Sequence, residues 1–412
     1  LNEENILPKM QSGFRKNHST CTALVNLFSD LIDTRDKGKY SSLVMLDYSQ
    51  AFDSINHEML LGKMHYYGFG ENFLKWVKSY LGDRSQITKL GSETSDPLVK
   101  RRGVPQGSCL GPVLFNLYTS DLPKCVQSCK IHLYADDCQL HLAYERGSFS
   151  KAFDLINSDL ANISNWSVDN GLQLNVSKCT VLHLAPQNLV QALSDVGVSV
   201  KLDGESLTVC QQVKTLGVVL DGDLTFSDHV THVIQRALGR LRGLYRFRSL
   251  LPESARLQLM QSLILSVFYY CYPAYGNSIS KEDTLRIQRM QNTAIRFVFN
   301  LRKYDHVSSY RVTAKMFPMA MVCMVFTSCM VHKVLSLGEP EYLSERLTYR
   351  EEVSQRSTRQ DRQLHLPKVR LEFGKRSFSY FGPKLFNDLP GQLKDSLTPA
   401  TFKRKIQCLF IP

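Results

Sequence analysis

Among the 11 cysteines of this chain, neither Cys125 with Cys129 nor Cys323 with Cys329 has a histidine pair at zinc-finger spacing. Cys125 and Cys129 are spaced CxxxC, and Cys323 and Cys329 lie further apart, so neither pair reads as a zinc site. Cysteines that are odd in number and scattered fit reduced thiols in an intracellular protein better than a disulfide framework. No signal peptide or targeting segment is visible. The longest uncharged stretches are Leu257–Tyr275, which carries Gln258, Gln261 and Pro273, and Met316–Val331, which is short and interrupted by Pro318. Both read as buried helices, not membrane spans. There is no internal repeat and no low-complexity tract, which excludes a repeat array. Acidic residues are the scarcer charge, 38 against 50 Lys and Arg, for a net +12 over 412 residues. That excess favours a polyanionic partner, nucleic acid first and an anionic membrane second. The length predicts two or three units with cores of their own.

Three stretches stand out. In Ile131–Leu142, IHLYADDCQLHL, Ile131 and Leu133 alternate with His132 and Tyr134, and Leu140 and Leu142 with Gln139 and His141. That period of two predicts two short strands, with Ala135–Asp137 at the reversal. An isolated Asp-Asp is ordinarily a solvated turn. Yet two carboxylates ~4 Å apart repel by roughly 4 kcal/mol at an effective dielectric of ~20. A divalent cation, which suits hard oxygen ligands, would compensate. In Ser41–Leu61 the apolar run Leu43–Leu46 predicts a strand buried on both faces, ending at Asp47. Arg101–Pro123, RRGVPQGSCLGPVLFNLYTSDLP, reads as a Gly- and Pro-rich loop leading into an apolar helix.

FDSINHEML after Asp47, then GVPQGSCLGP, then YADD resemble, in that order, the palm of a reverse transcriptase. The resemblance is specifically to non-LTR (LINE-type, jockey-like) retrotransposons. It implies an α+β right-hand polymerase of fingers, palm and thumb, with an antiparallel palm sheet followed by a mainly helical thumb and C-terminal region. Partial fingers and palm would span 1–226, the thumb 227–300, and a region of unassigned role 301–412. The implied activity is RNA-directed DNA polymerisation, adding dNTPs to a primer 3′-hydroxyl. The implied partners are an RNA template, a DNA primer and dNTPs, with no membrane, and an endonuclease domain upstream in the full-length element. The family setting implies the nucleus during integration and the cytoplasm during assembly with RNA. Because the chain starts at Leu1 and not Met, an N-terminally truncated copy is expected.

The resemblance also implies roles for residues. Two Mg²⁺ ions about 3.5–4 Å apart stabilise attacking and leaving oxygens together in such transfers; Mn²⁺ is a substitute. Asp47 and Asp136 are assigned as the metal bridge, with Asp137 beside them and the backbone carbonyl of Tyr48 as a further oxygen ligand. Lys178, in LNVSKCTV, is the candidate proton donor to pyrophosphate or a plain phosphate counter-charge. QSGFRKNHST resembles the fingers segment over the triphosphate, with Arg15 as phosphate ligand; otherwise Arg15 is an ordinary surface charge. Phe52 stands where the family's aromatic stacks under the sugar and excludes a 2′-hydroxyl, and a core aromatic is the equally natural reading. Gln106 and Gly107 lie in a loop whose small residues let the backbone approach template and nucleotide. Gln50 departs from the family, which commonly has Lys there.

Elsewhere the patterning is coarser. Leu24, Leu27, Phe28 and Leu31 predict a helix, as do Leu60 with Met64, Phe73 with Val77, and Phe153–Trp166. LQLNVSKCTVLHL alternates as a strand, and Asp203-Gly204 is a hairpin signal between VSVKL and ESLTV. Val213–Asp221 resembles the primer-grip strand, with Leu216 and Gly217 as its LG pair. Arg236, Arg240, Arg242, Arg246 and Arg248 follow with no acid between His229 and Pro252. They form either a solvated face or a thumb that tracks the template–primer backbone. Glu345–Arg376 is highly charged and reads as an exposed or flexible connection. In the family a substantial fingers segment precedes QSGFR, so the segment around Arg15 is expected to lack strand partners here. Two other readings compete: a decayed or co-opted remnant that only binds nucleic acid, and a palm-type polymerase making RNA, against which YADD and Phe52 argue.

Overall fold

The computed structural model describes residues 6–186, 188–190, 199–353 and 362–410. It contains two compact units, one of Leu1–Ser19 with Lys39–Cys210, the other of Thr20–Gly38 with Gln211–Pro412. Helix α1 (Thr20–Asp36) therefore belongs to the second unit. The division falls after Cys210 and not after residue 226, and the segments 227–300 and 301–412 share one unit.

The first unit is built on a five-stranded sheet. Its strands are β1 (Tyr40–Leu46), β2 (Lys130–Tyr134), β3 (Asp137–Tyr144), β4 (Thr180–Leu184) and β5 (Thr208–Cys210), in the order β5-β4-β1-β3-β2. The central β1 is antiparallel to both β3 and β4. β2 and β3 form an antiparallel hairpin, and the edge strand β5 runs parallel to β4. Leu43 and Val44 are fully buried on β1, as the apolar run requires. Val44, Leu140 and Val181 meet on one face in register and pack with Ile156, Leu160 and Ile163 of α5 (Phe149–Asp169). Each such side chain contributes roughly 1.5–3 kcal/mol of burial. Helices α2 (His57–Tyr66), α3 (Glu71–Leu81) and α4 (Gly111–Tyr118) add Leu60, Val77 and Phe115 to the same core. α2 starts where Asn56 Oδ1 accepts from the amides of Glu58 and Met59, a satisfied N-cap.

That face also carries a buried polar cluster. Ser42 Oγ and His183 Nδ1 share a 2.8 Å hydrogen bond, Tyr144 reaches Ser42 at 3.0 Å, and Phe153 stacks on the imidazole. Burial pushes His183 down to about 4. In the unfolded chain it titrates near ~6.5, so the unfolded state binds more protons between those values. Stability is therefore present above pH ~6.5 and falls as pH drops toward 4, by ~2 kcal/mol at pH 5 from this one group. Urea unfolding at pH 7 and pH 5 measures it: His183→Gln should shrink the difference, and an undiminished difference would show that His183 is not its source.

LQLNVSKCTVLHL is not one strand. Gln173–Leu174 pairs with Tyr48–Ser49, a 3₁₀ turn covers Val176–Lys178, and β4 follows. The Asn175 amide donates to the Asp47 carbonyl at 2.8 Å, which bends the chain around the end of β1. The Asp203-Gly204 turn is present, joining Lys201–Leu202 to Glu205–Ser206 with both turn residues at positive φ; Val198 of the expected first strand lies outside the described residues.

In the second unit, Val213–Asp221 is a hairpin and not a single strand. β6 (Gln212–Thr215) and β7 (Val218–Asp221) are joined by Leu216 and Gly217, both at positive φ. The Tyr270 hydroxyl donates to the Leu216 carbonyl at 2.8 Å. α6 (Ser227–Tyr245) buries Val230, Val233, Ala237 and Leu241 along one face. α7 (Lys281–Val298) packs along it. α8 (Met319–Leu337) is long and apolar enough to cross a membrane by length and composition. In this fold its His332 Nε2 donates to the Ser396 carbonyl, and its ring stacks on Phe402 at 4.2 Å, so α8 serves as a core helix.

The segment Glu345–Arg376 corrects an expectation. Among its described residues, Arg346 reaches Asp30 at 2.8 Å, Asp33 at 3.1 Å and Asn26 Oδ1 at 2.9 Å, all on α1. Leu347 and Leu364 are buried, and the Asp36 carboxylate accepts from the amides of Arg370 and Leu371. Arg346 is neutralised by carboxylates of α1 and the backbone near Arg370 is tied to Asp36, so composition alone misreads these residues as a loose connection; residues 354–361 lie outside the description.

Candidate active site

β1 and the β2–β3 hairpin bring three carboxylates together. Leu46 pairs with Cys138, and continuing that register by one residue sets Asp47 opposite Asp137. Tyr134 pairs with Asp137, leaving Ala135 and Asp136 as a two-residue loop. Such loops need positive φ at their first residue, and Ala135 sits at φ 56. A non-glycine residue held there costs roughly 1–2 kcal/mol, so the surroundings must hold the turn.

The electrostatics are those of crowded anions. Asp136 and Asp137 reach solvent at the tip, yet the surrounding protein removes much of their water. Asp136 is raised by that desolvation and by Asp47. Asp137 is raised to about 6, by desolvation first and then by Asp136 and Asp47. Asp47 Oδ2 is a buried oxygen without a hydrogen-bond partner, and the Lys178 Nζ stands 3.5 Å away. Among the described residues no three His, Cys, Asp or Glu side chains already converge as a cation site. The donor set nonetheless fits a hard divalent ion: an unsatisfied carboxylate oxygen beside two carboxylates that repel it. Lys178 currently supplies the positive charge.

Other expected residues fall at varied distances from this centre. Tyr48 lies in the two-residue pair with Leu174, and its hydroxyl bonds Ser167 at 3.0 Å in the core; burial raises its pKa well above the usual phenol range. Phe52 stacks on Phe115 with centroids 4.4 Å apart and meets Phe14 edge-on, while remaining partly exposed. Gln106 is exposed and its Nε2 donates to Asp53 Oδ2 at 2.8 Å; Gly107 faces open space. The Gly103 loop is stapled to the turn after Asp47: Gly103 N donates to Ile55 O, Val104 N to Phe52 O, and His57 Nε2 to Gly103 O. Beside it lies a cavity of about 500 Å³ lined by Asp53, His57, Arg84, Lys100, Arg102 and Gln106, among others. Asp47, Asp136 and Asp137 are not part of its lining.

The QSGFR segment departs most from expectation. Gln11 forms a parallel bridge with Leu133: Ser12 N donates to Leu133 O at 2.9 Å and Leu133 N to Met10 O at 3.1 Å. It thus has a strand partner, β2, and flanks the carboxylate hairpin. Arg15 Nη1 donates to the carbonyls of Pro8 and Gln11, so this guanidinium braces its own loop.

In the second unit, Arg236, Arg242 and Arg246 are exposed. Arg240 Nη1 donates to the Leu263 carbonyl, and Arg248 donates to those of Arg296 and Phe297. Arg248 is thus a cap on the end of α7, not a surface charge. Asp53 and His57 were passed over in the sequence, though both lie inside the FDSINHEML run; Gln11 had no signal beyond its place in QSGFR.

An aspartate just past the end of β1, beside an Asp-Asp hairpin and with a Gly-rich loop stapled to the following turn, is a palm-type arrangement. Residues 1–220 match the family described as reverse transcriptase (RNA-dependent DNA polymerase). The chain belongs to that family, within its jockey-like, non-LTR retrotransposon branch. It is 30% identical over 321 residues to a probable RNA-directed DNA polymerase from transposon BS of Drosophila melanogaster, covering 74% of this chain and 34% of that protein. It is 27% identical over 281 residues to the RNA-directed DNA polymerase from mobile element jockey of Drosophila funebris, covering 66% and 30%. The chain thus spans about a third of the length of these curated relatives. Among solved structures, apo telomerase from Candida Tropicalis aligns with a TM-score of 0.38 at 13% identity, over 83% of this chain and 59% of that one. The family works with divalent metal ions.

Proposed function

We propose that the chain adds deoxynucleotides to a primer 3′-hydroxyl on an RNA template, as the polymerase portion of a jockey-like element. The observation that supports this most is the register that places Asp47 against Asp137 and Asp136. On this reading Asp47, Asp136 and Asp137, with the Tyr48 carbonyl, hold two Mg²⁺ ions, Mn²⁺ being a substitute. Such ions, when bound, stabilise the attacking and leaving oxygens in line.

The chain's own residues do the rest. Lys178, whose ammonium stands 3.5 Å from Asp47, would serve the departing pyrophosphate as counter-charge or proton donor. Phe52, backed by Phe115, presents a ring edge to the sugar. Gln106, held by Asp53, and Gly107 offer a smooth loop to the templating base. Arg84, Lys100 and Arg102 line the adjoining cavity as contacts for template phosphates. Arg15 acts on the nucleotide indirectly, by bracing the loop beside the hairpin. Leu216 and Gly217, at the β6–β7 turn, serve the primer end. The work takes place in the nucleus during integration, with an endonuclease domain elsewhere in the full-length element.

The helical region 227–300 binds the backbone through Arg236, Arg242 and Arg246. Replacing Arg242 and Arg246 with Ala should weaken binding to all sequences alike. It should also flatten the salt dependence by roughly one ion per arginine. Titration of labelled primed RNA at several salt concentrations measures it; an unchanged slope would place both on a solvated face.

Primer extension by the purified chain tests the function. The expected product is templated, dNTP-dependent and Mg²⁺-dependent. Salt-dependent binding with no extension at any metal concentration would instead support a binding remnant.

A further inference from the structure

We infer that Gln11 is a positioning residue for the hairpin carboxylates: its buried carboxamide fixes the turn that presents Asp136 and Asp137 to a divalent cation. The inference rests on the function proposed above.

A two-residue hairpin loop leaves the backbone groups of its first residue outside the strand ladder, where water ordinarily satisfies them. Here that residue, Ala135, is buried, so its amide and carbonyl need a protein partner. Gln11, 1% exposed, supplies both. Its Oε1 accepts from Ala135 N at 2.9 Å and from Gly13 N at 2.8 Å, and its Nε2 is directed at Ala135 O at 3.4 Å. A carboxamide alone among side chains of this length both accepts and donates without charge. Glutamate would bring a third anion to the back of the turn, and methionine would leave two amides unsatisfied.

The clamp is itself held. The parallel bridge at Leu133 fixes the Gln11 backbone against β2. Asn116 Nδ2, from α4, donates to the Gly13 carbonyl at 2.8 Å. Gly13 lies so close that a Cβ there would stand 2.3 Å from the Ala135 nitrogen. A side chain therefore cannot be admitted between the segment and the turn. Ala135 keeps a left-handed conformation that alanine does not favour, and the amide bonds of Gln11 oppose its relaxation. Relaxation would rotate the peptide carrying Asp136 and displace both carboxylates relative to Asp47.

Mn²⁺ binding, followed by electron paramagnetic resonance of the free ion, tests this without requiring turnover. Gln11→Met should weaken Mn²⁺ binding by ~10-fold or more, the range found when a residue that orients a metal ligand is lost. Gln11→Asn, too short to reach Ala135, should shift it in the same direction and gives the readout if the Met variant does not fold. Hydrogen exchange at the Ala135 amide should quicken in both. In parallel, the Mg²⁺ concentration for half-maximal nucleotide addition should rise ~10-fold while the dNTP half-saturation stays put. A merely structural role would lower the active fraction without moving that midpoint. Wild-type Mn²⁺ affinity in a folded Gln11 variant would overturn the clamp and leave the polymerase reading standing. Weakened Mn²⁺ binding in the variants with no nucleotide addition by the wild type would uphold the clamp and remove that reading.

Discussion

Asp136→Asn should reduce nucleotide addition by ~10²–10³-fold, the scale on which removal of a single preorganised electrostatic group acts, while affinity for primed RNA barely changes. The substitution preserves shape at the tip of the β2–β3 hairpin and removes one negative charge. On the proposed reading binding rests on exposed arginines of the other unit and on the basic cavity, neither of which includes Asp136. The fold should not suffer either. Asp136 and Asp137 are both raised by desolvation and neighbouring carboxylates. A group raised in the folded state binds protons there more tightly than in the unfolded chain. In the metal-free protein its ionisation therefore destabilises the fold as pH rises through the folded value, near 6 for Asp137. Removing one of the repelling charges should leave Tm at pH 7.5 unchanged or slightly higher. Single-nucleotide addition under excess protein, with a melting curve beside it, measures both. Comparable rates in wild type and variant would remove Asp136 from the chemistry.

Gly103→Ala should lower nucleotide addition by ~10²-fold, the effect of about 1 Å of misplacement near a reacting centre, and should also lower Tm. Gly103 has φ +85, and a Cβ there would stand 2.7 Å from Asp53 Cα and 2.8 Å from Asp53 O. Those are backbone atoms and cannot swing aside. The loop would have to lift, breaking the bonds from Gly103 N to Ile55 O and from His57 Nε2 to Gly103 O. Lifting it carries Gln106 away from Asp53 and would shift the surface proposed to receive template and nucleotide. Left-handed backbone adds roughly 1–2 kcal/mol of strain for alanine. Addition rates should fall more than binding of primed RNA. Equal losses in both would mean that the loop only supports the fold.

The sheet and its hairpin were legible because period-two alternation and a continuous apolar run are local signals. Leu43–Leu46 and Ile131–Leu142 each declare their strand without reference to anything distant. The Asp203-Gly204 turn was legible for the same reason. What escaped was decided by contacts between segments far apart in the chain. Arg346 reads as a charge in a charged stretch until α1 supplies Asp30 and Asp33. Arg15 and Arg248 read as ligands for phosphate, but backbone carbonyls hold them, and carbonyls leave no mark in a sequence. The strand through Asn175 looked continuous because alternation cannot report that Asp47 O takes its amide. QSGFR was assigned to the fingers by resemblance, and its bridge to Leu133 sets it beside the carboxylates. The three carboxylates and Lys178 were named from the motifs; the oxygen on Asp47 left without a hydrogen bond was not.

The most direct measurement is single-turnover addition of one nucleotide, with protein in excess over primed RNA, at rising free Mg²⁺. Each dNTP is offered separately. The expected result is rapid addition of the complementary dNTP alone, rising steeply with Mg²⁺ and abolished by EDTA or by Asp47→Asn. Primer that remains unextended at every Mg²⁺ concentration, while fully bound by the protein, would contradict the account.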